Sequence, residues 1–307
     1  MPRHITITFP GQGSQKENML MDFDPLLIDD YRHKLTEILD FDLVKLIEDN
    51  DPLLNQSTFT QPAILFVSYL HYEELKRKHN IIPSAVCGHS LGEYTALTVA
   101  ESISLNDALL LVHKRGKLME KAASGSMYAI LNFNYDKIKF ICDEVSKEED
   151  SIVTVANINS DKQIVISGSN LSTEKAVEKL KNNGAKRCIK LNVNVPSHSP
   201  LMESMMNDFD EELKKIEIKM PKYDLYQNIN AGLPSNLDEL KSNLKNQLVY
   251  PVQWSKTLNN LNKLDSLLVE CGPGNVLTGI SKSNGIQDFL ATSSKKFNDE
   301  LNGFLTI

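Results

Sequence analysis

The sequence predicts an α/β fold with a short parallel sheet, carrying one inserted subdomain of a different kind. Three observations lead there. Residues 84–87 are a short apolar run, residues 88–92 read Gly-His-Ser-Leu-Gly, and residues 94–100 have the composition of a helix. Strand and helix patterns alternate on both sides of that point. Between residues 126 and 191 the rhythm changes to strand, helix, strand, strand, helix, strand, which is the order of a ferredoxin-like βαββαβ unit. The 307 residues thus divide into a main α/β domain, 1–125 and 192–307, and an inserted ferredoxin-like subdomain, 126–191.

The elements follow in order. Residues 4–9 alternate apolar and polar and stop at Pro10-Gly11-Gln12-Gly13-Ser14-Gln15, a first strand ending in a glycine-rich loop. That loop lacks the Gly-Lys-Ser/Thr of a phosphate cradle and the third glycine of a dinucleotide fingerprint, so neither nucleotide reading is favoured. Residues 24–48 read as two short helices and 58–78 as a stronger one. Pro62 is expected in the first turn of that helix, where a missing N–H costs nothing. A helix over 105–121 is capped by Ser104, with Asp107 in its first turn. In the insertion, strands are expected at 127–133, 151–158, 163–168 and 186–191, and helices at 136–145 and 174–181. A turn is expected at Asn159-Ser160-Asp161. The chain then runs extended into Pro196, and a helix begins near Ser199 or Pro200. Helices over 237–248 and up to 261, a strand over 266–271 and a short helix after Gly272-Pro273-Gly274-Asn275 complete the pattern, with Trp254 in the core.

Composition narrows the function. The net charge is −7 with Lys and Arg spread along the chain, which argues against a nucleic-acid partner. No apolar stretch reaches the roughly 18 residues of a membrane span. The N-terminus enters a strand pattern without the apolar core of a signal peptide, so a cytoplasmic protein with no membrane contact is expected. Cys87, Cys142, Cys188 and Cys271 are scattered in apolar surroundings and read as buried free thiols. Neither cysteines nor histidines stand at metal-ligand spacing, so no metal is expected.

Strand, Gly-x-Ser-x-Gly and helix together are the setting of a nucleophile elbow. Gly88 and Gly92 flank a turn too tight for side chains, and Ser90 is held at its tip. The amide of Leu91 falls at a helix N-terminus, where free donors favour a developing oxyanion. The loop of Gly11, Gln12 and Gly13 can supply a second donor. A serine hydroxyl needs a base. His198 is the candidate because it stands just ahead of a helix, where the chain returns from the insertion. His4 lies on the first strand, His33, His71, His79 and His113 on or beside helices, and His89 on the far side of the turn. Nothing dictates an acidic third member, and a backbone carbonyl can orient the histidine as well. These residues predict acyl transfer through an acyl-enzyme. Arg115 interrupts an apolar helix stripe and has two readings. It binds a carboxylate on the acyl group through paired hydrogen bonds, or it snorkels to solvent or pairs with Glu120 or Asp107. The elbow alone does not separate a transferase from a serine esterase or thioesterase. A binding scaffold with an inert elbow is a third reading, against which the intact set of Ser90, His198 and Arg115 weighs.

Seven motifs carry a resemblance that spans nearly the whole chain: Phe9-Pro-Gly-Gln-Gly-Ser-Gln15, Thr60-Gln-Pro-Ala63, Gly88-His-Ser-Leu-Gly-Glu93, Lys114-Arg-Gly-Lys-Leu-Met119, Val195-Pro-Ser-His-Ser199, Pro251-Val-Gln-Trp254 and Glu270-Cys-Gly-Pro-Gly-Asn-Val-Leu-Thr-Gly279. In this order they resemble the malonyl-CoA:acyl carrier protein transacylases of bacterial type II fatty acid synthesis. The resemblance implies a hydrolase-like α/β core with a ferredoxin-like insertion, and a ping-pong transfer of malonyl from malonyl-CoA to the phosphopantetheine thiol of acyl carrier protein. It implies Ser90 as nucleophile, His198 as base, the amides of Gln12 and Leu91 as oxyanion hole, and Arg115 as malonyl anchor. It further implies Gln61 as a substrate-binding residue at the active-site rim and the carbonyl of Gln247 as the group that orients the histidine. No bound cofactor is implied, the CoA thioester being substrate, and a monomer is expected. An acidic chain that meets an acidic carrier needs a local basic patch, for which Lys181, Lys186, Arg187, Lys190 and Lys282 are candidates. The chain departs from the family pattern at Lys16-Glu17-Asn18-Met19, at Val249-Tyr250 and at Ser199.

Overall fold

The computed structural model describes residues 4–305. The chain opens with strand β1 (His4–Phe9), helices α1 (Pro25–Leu39), α2 (Leu43–Glu48) and α3 (Ser57–His79), strand β2 (Ala85–Gly88), and helices α4 (Gly92–Val99) and α5 (Leu105–Ala122). A second unit follows: β3 (Ser126–Leu131), α6 (Tyr135–Glu148), β4 (Val153–Ser160), β5 (Gln163–Gly168), α7 (Asn170–Asn182) and β6 (Arg187–Lys190). The chain then returns to α8 (Met206–Lys214), β7 (Asp224–Tyr226), α9 (Leu237–Asn246), α10 (Trp254–Asn262), β8 (Ser266–Glu270), α11 (Val276–Ser283), β9 (Phe289–Ala291) and α12 (Phe297–Leu305).

The first sheet has the order β7-β2-β1-β8-β9, and every pair in it is parallel. Such a sheet must be covered on both faces. Ile7, Phe9, Val86 and Val269 pack in one cluster with residues of α3, α4 and α5. Ala85, Cys87 and Leu268 pack in another with Trp254 and Leu258 of α10 and Leu277 of α11. This is the expected layered α/β arrangement with a parallel sheet, with Trp254 in the core. The second sheet is antiparallel in the order β4-β5-β3-β6, the ferredoxin-like arrangement. Alternation divides its faces. Ile130, Ile164 and Ile166 pack against α6 and α7, while Met127, Ala129 and Val165 face away from those helices. A parallel bridge joins the two units: Ile158 N donates to Val252 O and Val252 N to Ala156 O, both at 2.9 Å. At the neck of the insertion, Gly125 N donates to Asn194 O at 3.0 Å.

Several elements differ from the sequence expectation. Pro62 lies a full turn inside α3 rather than in its first turn, because the helix starts at Ser57. The proline leaves the carbonyl of Thr58 without its usual helical donor. His113 of α5 fills that place, its Nδ1–H donating to Thr58 O at 2.9 Å. The two helices are close enough there that a Cβ on Gly116 would lie 2.5 Å from Ser57 O. The expected turn at 159–161 begins later, since β4 continues to Ser160, paired with Gln163. Helix α7 starts at Asn170, where the Ser169 side chain accepts from Ser172 N. The helix after His198 opens as a 3-10 segment, Pro200–Met205, before α8. Strands β7 and β9 have three residues each, too few to show a period in the sequence. All four cysteines are free. Cys87, Cys142 and Cys271 are buried, whereas Cys188, on the edge strand β6, is only half-buried.

Candidate active site

The elbow is fixed by contacts that admit no side chain. A Cβ on Gly92 would lie 2.0 Å from Phe9 O, and one on Gly88 would lie 1.9 Å from the Gly92 carbonyl carbon. Between them Ser90 takes φ +52°, a left-handed conformation that β2 and α4 impose. Asn228, just past β7, locks the turn. Its Oδ1 accepts from Ser90 N and its Nδ2 donates to Gly88 O, both at 2.6 Å.

Ser90 Oγ lies 2.8 Å from His198 Nε2. His198 Nδ1 lies 2.7 Å from the backbone carbonyl of Gln247, which can only accept. Nδ1 therefore carries the proton, and Nε2 presents its lone pair to the serine hydroxyl. His198 is itself left-handed, at φ +58°, and its N–H donates to Leu248 O at 3.0 Å. Burial, followed by the positive charge of Arg115, pushes the imidazole down to about 3. It is neutral, the form that accepts a proton.

Two free amides line the same cleft as this pair. The Leu91 amide precedes the first residue of α4, and neither it nor the Gln12 amide donates to another described group. Ser57 Oγ donates to Gln12 Oε1 at 3.2 Å and steadies that loop. Gln12, Ser90, Leu91, Arg115 and His198 all line one cavity of about 850 Å³ between the two sheets. Its opposite wall is the helix-free face of the second sheet, with Met127, Ala129, Leu131 and Val165.

Arg115 is 1 % exposed and reaches this cavity from α5. Pairing with Glu120 or Asp107 does not occur. Glu120 accepts from Thr58 N and Oγ1, and Asp107 from Ser104 Oγ. The guanidinium instead donates to two neutral oxygens, Gln61 Oε1 at 2.9 Å and Gln247 Oε1 at 3.2 Å, and stacks over the Tyr94 ring at 5.4 Å. Its Nε has no partner. Among the described residues no carboxylate pairs with it. Gln61 is fully buried in α3 and does not line the cavity, which corrects its expected place at the rim. The tight approach of α3 to α5 turns its side chain onto Arg115 and Met119 instead.

Sequence reasoning missed Asn228, which follows a strand too short to read. It also passed over Glu93, although that acid directly follows the Gly-x-Ser-x-Gly pattern. His89 turns its Nε2 toward Asn159 Oδ1, 2.9 Å away, with its ring edge-on to Trp254, so it joins the two units. The described residues gather no group of three His, Cys, Asp or Glu side chains fit to hold a metal. No helix among them is long and apolar enough to cross a membrane.

An elbow serine, a neutral histidine oriented by a carbonyl, and free amides around one cleft form the site of an acyl-transfer enzyme. Comparison with known proteins agrees. The family model of the acyl transferase domain matches residues 6–287. The malonyl CoA-acyl carrier protein transacylase of Staphylococcus aureus (strain COL) is 38% identical over 288 residues, covering 90% of this chain and 91% of its own. The crystal structure of FabD from Acinetobacter baumannii superposes with a TM-score of 0.94 at 36% identity, covering 100% of this chain and 99% of that one. A malonyl-transacylase solved in complex with a type II polyketide acyl-carrier protein superposes with a TM-score of 0.91 at 33% identity, over 98% and 99% of the two chains. The chain belongs to the malonyl CoA-acyl carrier protein transacylases of the acyl transferase family.

Proposed function

We propose that the protein moves a malonyl group from malonyl-CoA to the phosphopantetheine thiol of acyl carrier protein in two displacements, through a malonyl ester on Ser90. In the first, Ser90 Oγ gives its proton to His198 Nε2 and attacks the thioester carbonyl. The C–S bond breaks, and the CoA sulfur leaves with that proton. In the second, the carrier thiol gives its proton to His198, its sulfur attacks the ester carbonyl, and Ser90 Oγ departs and recovers the proton. The amides of Leu91 and Gln12 receive the negative oxygen in both steps. Gln247 orients His198 through its carbonyl, and Gln61 positions Arg115.

The observation that carries this reading is Arg115. A buried guanidinium that, among the described residues, donates only to neutral oxygens and opens onto the serine's cleft is suited to a dicarboxylic half-thioester and not to a simple fatty acyl chain. The carrier would approach the cleft mouth where Lys282 of α11 stands near lining residues Gly279 and Ser283, and where Arg187 and Lys190 of edge strand β6 precede lining residue Leu191.

Intact-protein mass after mixing with malonyl-CoA or acetyl-CoA tests the reading. Wild type is expected to gain a malonyl adduct and little acetyl, Ser90→Ala neither, and Arg115→Ala to lose the preference. Free malonate and CoA without an adduct would move the assignment to a hydrolase. No adduct and no turnover would leave a scaffold.

A further inference from the structure

The motif at 88–93 ends in a carboxylate that the chemistry above does not use. Glu93, in the first turn of α4, is 1 % exposed. Among the described residues it has no direct ion pair. Its Oε2 accepts from Gln247 Nε2 at 2.7 Å and from Asn228 N at 3.1 Å, and its Oε1 from Gln227 Nε2 at 3.1 Å. Burying a carboxylate without a directly paired cation is unfavourable, and a residue kept there invites a reason.

The reason lies in Gln247. Its backbone carbonyl holds His198, its side-chain Oε1 accepts from Arg115, and its Nε2 donates to Glu93 and to Ser90 O. A carboxamide has two ends that are alike in shape and opposite in polarity. An ionised carboxylate only accepts, so Glu93 joins the Ser90 carbonyl in holding the NH2 end of Gln247, while Arg115, which only donates, holds the oxygen. A protonated acid or an amide at position 93 presents a donor as well, and the carboxylate's share of that constraint is lost. The positive charge of Arg115 is thereby balanced at one remove, with its donors left unsaturated for an incoming carboxylate.

We propose that Glu93, as a carboxylate, is a positioning residue that reinforces the polarity of the Gln247 side chain and so keeps Arg115 set to receive the carboxylate of the acyl group. The proposal rests on the reading of Arg115 given above. The groups around Glu93 leave it as the one whose charge changes near neutrality. Burial pushes its carboxyl up to about 7, against the hydrogen bonds from Gln247, Asn228 and Gln227 and the charge of Arg115. His198, across Gln247, is neutral down to about 3. Burial also raises the Cys87 thiol at the end of β2 and the Tyr94 phenol on α4, so both stay neutral.

The test is KM for malonyl-CoA between pH 5.5 and 8.5, for wild type, Glu93→Gln and Glu93→Asp, with Tm recorded for each. In wild type KM is expected to rise about tenfold as pH falls through 7, the size of one lost charge-assisted contact, while kcat changes less because the Gln247 backbone still holds His198. Glu93→Gln is expected to show the raised KM at every pH, and Glu93→Asp to restore part of the pH dependence. A wild-type KM indifferent to pH, or a folded Glu93→Gln with wild-type KM at pH 8, overturns the proposal. Should Glu93→Gln not fold, the wild-type profile decides alone. Arg115→Ala keeps the two readings apart. If it retains wild-type KM for malonyl-CoA, the anchor itself is wrong. If it loses malonyl-CoA while Glu93→Gln does not, only the role of Glu93 falls.

Discussion

The two sheets of this protein face the same cleft with different equipment. The parallel sheet is buried on both faces, and its loops bring Gln12 after β1, Ser90 after β2 and Asn228 after β7. This is the strand end where α/β sheets place their ligands. The antiparallel sheet buries one face under α6 and α7 and turns the other, made of Met127, Ala129 and Val165, to the cleft. The first unit holds Ser90, the neutral His198 and the buried guanidinium of Arg115. The second contributes apolar surface and the amides of Asn157 and Asn159. Ser90 and His198, at the centre of the site, both sit at positive φ.

The largest effects should all fall on the parallel unit. Ser90→Ala is expected to lower acyl loading by at least about a thousandfold in rapid-quench assays, and His198→Ala by about the same. A residue of 126–191 with an effect of that size would break the comparison. Next, Arg115→Ala should lower kcat/KM for malonyl-CoA about a hundredfold while an acetyl adduct becomes visible by mass. Ala129→Phe, on the cleft wall, should do less and do it differently. It narrows the cavity and should raise KM for CoA thioesters about fivefold, with kcat within about twofold, since no reacting atom moves. Equal losses in kcat would show that the wall takes part in the chemistry.

The smallest effect separates the units by pH. His198 and His71 are pushed down to about 3 and 4 by burial, and His89 and His113 are lowered for the same first reason. Their unfolded values lie near 6.5, so below that pH the unfolded chain binds protons that the folded chain refuses. Their contribution to stability is complete above about 6.5 and is lost as pH falls toward 4 and 3. Residues 126–191 contain no histidine. Hydrogen exchange at pH 5 against pH 7.5 should therefore show protection falling in β1, β2 and α3 more than in β3 and β5. Uniform loss would mean that the bridge at Val252 couples the two sheets into one cooperative unit.

Much of this was legible in the sequence where local chemistry dictates local shape. Gly88 and Gly92 announce the elbow because nothing larger fits between crossing backbones. The insertion shows itself because its six elements are contiguous and each is long enough for a period. What stayed hidden was held by partners distant in the chain. Arg115 had two readings until its contacts with Gln61 and Gln247 were visible, 54 and 132 residues away. Asn228 follows three residues of strand, and Pro62 was misplaced because His113, on another helix, satisfies the carbonyl the proline leaves open. The motif match put Gln61 at the rim, whereas it is buried, since burial depends on how α3 meets α5.

The sheet order has a consequence in time. A chain made from its N-terminus can complete the antiparallel sheet once residue 190 has emerged. Strand β1 lies between β2 and β8, and β8 spans Ser266–Glu270. The Gln247 carbonyl that orients His198 likewise comes 157 residues after Ser90. On the ribosome Ser90 is therefore made well before Gln247 and β8, and its surroundings are complete only when the central sheet closes.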